Sequence, residues 1–252
     1  MRILALSNLF PPDVLGGYEL LARDVVLALR ARGHDVVVVT TGERRADDPP
    51  WVRRCLRLTR PFDEPGALDR GRHVVGSFEQ RAVMDVVLRE RFDVGLVFSL
   101  RRLGLHTTRA LARHGVPHVY LFNDDWLLAH RPGEGASAIT RGVWSAIERG
   151  PLGARTWTGV RFDRAIYVSA STREQLLAGG APVPEGLVCW QGVDRAMFAP
   201  RAPRELPECP SLLYAGRVHP TKGVDLAIRA LGDLRRGGTA ATLRVAGTGT
   251  DA

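Results

Sequence analysis

The sequence predicts an α/β protein built on parallel β-sheet, in two successive units of which the second is incomplete. Three observations carry this. Residues Ile3 to Ser7, Tyr18 to Arg32 and Val36 to Thr40 read as strand, helix and strand with no hairpin signal between them, which is a parallel βαβ unit. The stretch from Asp194 to Cys209, closed by Pro210, is rich in proline (Pro200, Pro203, Pro207) and poor in apolar residues, the composition of a linker. The pattern then restarts with a strand, Leu212 to Ala215, a helix, Gly223 to Arg236, and a strand, Leu243 to Ala246. One βαβ unit leaves both faces of its sheet poorly covered, so the second domain reads as cut short or as completed by another chain. The expected division is 1–199, a linker at 200–210, and 211–252.

The elements follow in order. Ile3–Ser7 is a buried apolar run. The loop Asn8 to Gly17 leads to a helix with Leu21, Val25, Ala28 and Leu29 on one side, stopped at Gly33. Val36–Thr40 is a continuous β-branched run. Glu43 to Gly76 is irregular, with room for a strand or two and an exposed loop. Phe78–Arg91 reads as helix, Val94–Phe98 as strand, Leu103–His114 as helix ended by Gly115, and Val116–Phe122 as strand running into Asn123-Asp124-Asp125-Trp126. Leu127 to Thr158 is a surface excursion with a helical piece near Val143 to Glu148. Arg164–Ser169 is a strand. Ser171 then caps a helix through Leu177 with Glu174 completing a capping box. Leu187–Trp190 is a short strand before the linker.

Composition adds limits. The net charge is +8 and the pI about 10.3, which favours an anionic partner such as a nucleotide, nucleic acid or membrane surface. Arg53, Arg54, Arg57 and Arg60 cluster, but without the interleaved aromatics of a nucleic-acid platform, so they read as a solvated face or a weak membrane-surface patch. Cys55, Cys189 and Cys209 have no metal or redox spacing. The start of the chain is too short in apolar residues to span a membrane. A reducing, cytoplasmic protein is expected, with peripheral attachment to the inner membrane face as an open alternative.

Two loops suit a phosphate group. Of the 35 basic residues one is lysine, so 34 are arginine, and that lysine, Lys222, stands in Tyr214-Ala215-Gly216-Arg217-Val218-His219-Pro220-Thr221-Lys222-Gly223. A strand ends there, a helix begins, and two cations are held at the loop; a chance solvated lysine is the plainer alternative. Gly16-Gly17 occupies the equivalent place after the first strand, where adjacent glycines let a backbone approach a ligand or make a simple tight turn. Neither loop has the dinucleotide G-x-G-x-x-G pattern, and Gly247-x-Gly249 lacks its third glycine. Glu19 suits the positive end of its helix. Asn123 and Asp124, at the C-terminal end of a strand, stand where ligands bind in parallel sheets, with loop capping as the other reading of Asp124 and Asp125. His34, beside a helix stop, reads as structural.

Four segments in this order resemble the retaining glycosyltransferases of family 4: PPDVLGGYELLARDVVLALRARGHDVVVVTT at 11–41, IYVSASTREQLL at 166–177, QGVDRAMFAP at 191–200, and YAGRVHPTKGVDLAIRAL at 214–231. The resemblance implies the GT-B fold of two facing Rossmann-like domains, the first binding an acceptor and the second a nucleotide-diphosphate sugar. It assigns Arg217 and Lys222 to the donor diphosphate, where they act as the catalytic cations, and Gly16 and Gly17 to the approach to diphosphate and transferring sugar from the opposite domain. It implies transfer to an acceptor hydroxyl with retention, no metal and no cofactor besides the donor. Many members have histidine where Asn123 stands, and asparagine where Gln191 stands. The family's pair of glutamates eight positions apart in the second domain is expected beyond Ala252, so this stretch alone is expected to bind donor poorly. Two other readings remain: an acceptor-binding or scaffold module needing a partner chain, and a sugar-nucleotide epimerase or phosphorylase. Base, sugar and acceptor (saccharide, lipid or small molecule) are unspecified; no nucleic-acid partner is expected.

Overall fold

Alternation along the first strand builds two cores. In β1, Arg2–Leu6, Ile3 and Ala5 face one side and Leu4 and Leu6 the other, and all four are buried. β2, Asp35–Thr41, repeats the arrangement with Val36 and Val38 against Val37 and Val39. Near-continuous β-branched sequence is what a strand buried on both faces requires. The computed structural model describes residues 1–58, 79–131, 156–157, 160–200, 202, 205 and 207–249.

The chain divides into two compact units, Met1–Gly192 and Val193–Ala252. The first holds a seven-stranded sheet in the order β3-β2-β1-β4-β5-β6-β7, every adjacent pair parallel. Its other strands are β3 (Val52–Leu56), β4 (Val94–Val97), β5 (His118–Phe122), β6 (Ala165–Tyr167) and β7 (Leu187–Val188). Helix α1, Gly17–Ala31, covers the face of Ile3 and Ala5. A helix at 79–87 (α2) and α3, His106–Arg113, contribute Met84, Val87, Ala110 and Leu111 to the opposite core, as does Leu176 of α4, Ala170–Ala178. The order reverses between β2-β1 and β4-β5. In open parallel sheets ligands bind outside the C-terminal strand ends at such a reversal, here the ends of β1 and β4.

In the second unit β8 (Ser211–Ala215) and β9 (Thr242–Ala246) pair in parallel, with α5, Val224–Arg236, between them in sequence. Among its described residues only Val218 and Ala241 are buried, and Leu226 and Ile228 of α5 are exposed. No helix among the described residues is long and apolar enough to cross a membrane.

Several sequence expectations need correction. The inner face of α1 is centred on Ala22 and Val26, with Tyr18, Val25 and Leu29 packed beside them, while Ala28 is exposed. Ala22 and Val26 are both fully buried there. The cap of α4 is Ser169, whose hydroxyl accepts from the Thr172 amide at 3.1 Å, two residues before the expected Ser171, so Glu174 does not close a capping box. Strands β6 and β7 are shorter than expected, and α3 begins three residues late. The helical piece at 143–148 lies outside the described residues.

The largest correction concerns the arginine cluster. β3 pairs with β2, and period-two alternation turns Val52, Arg54 and Leu56 inward. The Arg54 side chain is fully buried. Its Nε donates to both Asp48 carboxylate oxygens at 3.0 and 3.1 Å. One terminal nitrogen reaches Asp13 (3.1 Å) and the Phe10 and Thr41 carbonyls (3.2 and 3.3 Å), and the other donates to the Pro11 carbonyl at 2.8 Å. Arg53 points outward and pairs with Glu90 at 2.7 Å. Arg54 is therefore no solvated cation; it fastens the loop between β1 and α1 to the sheet edge.

Asp48 is nearly buried. Burial alone would raise its pKa, but the Arg45 amide and the Arg54 guanidinium outweigh this and hold it below the ordinary value. A carboxylate with a depressed pKa contributes stability that is present above the unfolded value of about 4 and lost as pH falls through the folded value. Arg54→Met leaves Asp48 buried and uncompensated, and should cost about 3–5 kcal/mol in urea denaturation at pH 7. Asp48→Asn should lower the neutral-pH midpoint and flatten the loss of stability that the wild type shows below about pH 4. An unchanged acid limb would contradict the assignment.

Candidate functional site

The first element of the site is the start of α1. Gly16 is its N-cap in extended conformation (φ −173°), and the Glu19 carboxylate accepts from the Gly16 amide at 3.0 Å and the Leu15 amide at 3.3 Å. Glu19 is buried and committed to this helix start, as its place in the sequence suggests. Neither Gly16 nor Gly17 has positive φ, and a Cβ at either would meet nothing within 4 Å. Local folding does not require glycine here. What the two glycines leave is open space at a helix N-terminus, where the first amides have no intrahelical acceptor.

This helix start is pinned to the end of β5. The Tyr18 hydroxyl donates to the Leu121 carbonyl, and burial, reinforced by the nearby Asp124 charge, pushes its pKa well above the ordinary value. Just beyond, the Asp124 carboxylate accepts from the Trp126 amide at 2.9 Å and so caps the short 3-10 turn Trp126–His130. Burial raises the Asp124 pKa, against the Trp126 amide and Arg101, and the Asp125 charge adds to the rise. Asp125 is held by Arg101 at 2.7 Å. Asn123 differs from its neighbours: its Nδ2 is buried without a hydrogen-bond partner among the described residues. A buried amide nitrogen without a partner is an exception in folded proteins, and it marks Asn123 out from the residues around it. Asp124 has a structural role beside any other.

The β1–α1 loop has further anchors that the sequence did not reveal. The Asn8 amide donates to the Ser99 carbonyl at 2.8 Å, and its side chain donates to the Arg101 carbonyl at 3.2 Å. These bonds tie the ends of β1 and β4 together at the sheet reversal. Ser7 is buried beside them, with no partner for its hydroxyl among the described residues.

In the second unit Arg217 and Lys222 are brought together through a third residue. The Tyr214 hydroxyl, from the end of β8, lies 2.9 Å from the Arg217 carbonyl and 3.4 Å from the Lys222 carbonyl, and closes the loop between them. Both cations are exposed, and neither side chain has an ion pair or hydrogen bond among the described residues. Gly223 takes φ +70° between the turn Pro220–Lys222 and α5, a left-handed conformation that favours glycine.

Gly247 and Gly249 support this loop. The Gly216 amide donates to the Ala246 carbonyl and the Val218 amide to the Thr248 carbonyl, both at 3.0 Å. A Cβ on Gly247 would lie 1.8 Å from the Gly216 carbonyl oxygen, and one on Gly249 1.8 Å from that of Val218. The glycines let the two backbones lie edge to edge. Their regular spacing after a strand was the available signal, and the close approach is its cause.

The family model described as Glycosyltransferase Family 4 matches residues 15–196. The chain belongs to glycosyltransferase family 4. This family 4 chain is 30% identical over 260 residues to a glycogen synthase of Mycobacterium tuberculosis (strain ATCC 25618 / H37Rv), covering 99% of the chain and 62% of the relative, so it spans about three-fifths of that protein. Among solved structures it resembles the apo form of a lipopolysaccharide outer core galactosyltransferase, WaaB, with a TM-score of 0.56, 16% identity and coverage of 100% and 62% of the two chains. It also resembles the catalytic domain of starch synthase IV from Arabidopsis thaliana bound to ADP and acarbose, with a TM-score of 0.53, 12% identity and coverage of 99% and 68%. These likenesses place the family 4 chain in the α/β fold class of the GT-B glycosyltransferases.

The glycines give opposite expectations for stability. Gly17→Ala has room and sits in a helix, so its thermal midpoint should stay the same or rise, by at most about 1 kcal/mol equivalent. Gly249→Ala must push the Val218 carbonyl aside, and should shift the amide NMR signals of residues 216–218. Equal, negligible effects from both would show that the contact at Gly249 is not tight.

Proposed function

We propose that the protein is a retaining glycosyltransferase that moves a sugar from a nucleotide-diphosphate sugar to an acceptor hydroxyl. The observation that carries the proposal is the pair of exposed cations, Arg217 and Lys222, without a partner among the described residues and held at one loop by Tyr214 in a chain of this family. Breaking the bond between sugar and phosphate leaves an oxocarbenium-like sugar and adds negative charge to the diphosphate. Fixed cations bind that developing charge more tightly than the ground state, which lowers the barrier.

Arg217 offers a planar fork for two oxygens, and Lys222 a compact charge. Gly16 and Gly17 offer backbone amides and an unobstructed approach to the same kind of group. Asn123, through its unused amide donors, is assigned to a sugar hydroxyl; Asp124 is assigned to ordering that loop and to a possible acceptor contact. In the proposed reaction the acceptor attacks from the face the diphosphate leaves, the departing phosphate takes the acceptor proton, and the configuration is kept. Arg217 and Lys222 supply the charge stabilisation that a metal supplies in other transferases.

A charge-assisted hydrogen bond contributes about 1.5–3 kcal/mol. Arg217→Ala and Lys222→Ala should therefore each weaken nucleoside diphosphate binding by about 10- to 100-fold in calorimetry. Both sites are exposed, so the circular dichroism of the variants should match the wild type. Unchanged affinity in folded variants would remove these residues from the donor site.

A further inference from the structure

A cleft of about 1120 Å³ opens beside the β1–α1 loop, at the C-terminal ends of β2 and β3. Its apolar wall includes Val14, Leu15 and Leu56. Val14 and Leu15 are exposed, and Leu15 immediately precedes Gly16, so the cleft adjoins the glycine loop. Arg44, Arg45 and Arg57 stand on its other sides.

The arginines of this region are not equivalent. The charge of Arg54, at the floor, is matched by Asp48 and Asp13, and Arg45 is held by Asp13 at 2.6 Å. Arg44 is exposed and has no ion pair or hydrogen bond among the described residues. The Arg57 side chain is 82% exposed, and among the described residues it pairs only with Glu79, at 3.9 Å. Of the two acids lining the cleft, Asp13 is already committed, and Glu43 is exposed to solvent. The concave surface thus presents the guanidinium of Arg44, which has no ion pair among the described residues, and that of Arg57, whose ion pair with Glu79 is long and exposed, facing an apolar wall. Concavity concentrates the field of like charges, and a guanidinium matches the paired oxygens of an oxyanion. The volume suits a ligand of disaccharide size.

We propose that this cleft holds the acceptor, and that the acceptor carries a phosphate next to an apolar portion, the phosphate on Arg44 and Arg57 and the apolar portion against Val14 and Leu15. The word acceptor rests on the glycosyltransferase reading; the anion site does not. The arrangement serves a lipid phosphate headgroup or a soluble phosphate ester, since both present the same group.

The test titrates the intact chain with hexyl phosphate, with 1-hexanol as the uncharged control, and repeats this with the double variant Arg44→Gln/Arg57→Gln. Arg45 and Arg54 are left in place because they hold the loop. The expected result is binding of hexyl phosphate that falls at least tenfold in the double variant and with added salt, and no comparable binding of hexanol. Co-sedimentation with phosphatidylglycerol vesicles, but not phosphatidylcholine vesicles, that requires the same two arginines would assign the phosphate to a lipid. Hexyl phosphate binding without such co-sedimentation would assign it to a soluble ester. Equal affinity of wild type and folded double variant, or no binding to the wild type, would overturn the proposal. Nucleoside diphosphate titration of Arg217→Ala beside the wild type reports separately on the donor reading: equal affinity of the two, with hexyl phosphate binding intact, would keep the anion cleft and remove the word acceptor.

Discussion

The buried guanidinium of Arg54 is the constraint on which the C-terminal edge of the first sheet depends. The loop between β1 and α1 presents the carbonyls of Phe10 and Pro11 to the interior, and β2 ends with that of Thr41. Buried carbonyls need donors: the Phe10 carbonyl accepts from the Asp13 amide at 3.2 Å, and the Arg54 guanidinium supplies a donor to all three. A lysine has three donors at one point, whereas the arginine fork spreads five across a plane and reaches three carbonyls and two carboxylates at once. The cost of removing its charge from water is offset by Asp48 and Asp13. An apolar side chain of similar volume would fill the space but take these donors away. The position of Gly16 and Gly17, four residues beyond Pro12, follows from this anchoring and from the Tyr18 bond to β5.

The two loops use glycine for opposite reasons, and this separates ligand space from packing. At Gly247 and Gly249 another backbone already occupies the place of a side chain. At Gly16 and Gly17 that place is empty, and the conformations are open to any residue. Glycine costs conformational entropy on folding. Where packing and dihedral angles do not explain it, the close approach of the proposed ligand is the reading that accounts for it. The stiffened edge beneath Arg217 is the complement: Gly247 and Gly249 let the backbone of 247–249 bond to that of 216–218, so the cations stand on a ladder rather than on a free loop. Preorganisation of this kind is what transition-state stabilisation needs from a charged group.

How much was legible in the sequence depended on the range of the physics involved. The parallel βαβ pattern rests on local periodicity, and Val36 to Thr40 or Val94 to Val97 announce it directly. The stop at Gly33 and the restart after the prolines are equally local. Arg54 was not legible because charge outweighed alternation: in Val52-Arg53-Arg54-Cys55-Leu56 the inward positions are those of Val52 and Leu56, and the arginine between them shares their face. The cap of α4 was misplaced because Ser169 and Ser171 are both good caps, and only the end of β6 decides between them. The roles of Asn8 and Arg101 depend on segments returning from elsewhere in the chain, and no local signal marks them; Tyr214 closes its own loop. For the site, the sequence singled out the loops; which of their residues are free and which are committed came from the structure.

That distinction also resolves the excess of positive charge. A net charge of +8 spread over 34 arginines names no partner by itself. Arg53 with Glu90, Arg54 with Asp48, Arg101 with Asp125 and Arg113 with Asp85 are neutralised locally. Their fields are largely cancelled beyond a few ångströms. Arg217 and Lys222 lack such partners among the described residues, and so does Arg44. Each stands at a loop that follows the C-terminal end of a parallel strand, the end where ligands of such sheets bind. An unpaired exposed cation elsewhere on the surface is simply hydrated. At these positions the same cation lies beside backbone amides or an apolar wall, where part of its hydration is already replaced and an anion gains more from the contact. Placement and lack of a carboxylate partner among the described residues, rather than the number of arginines, single out the residues proposed to meet a ligand.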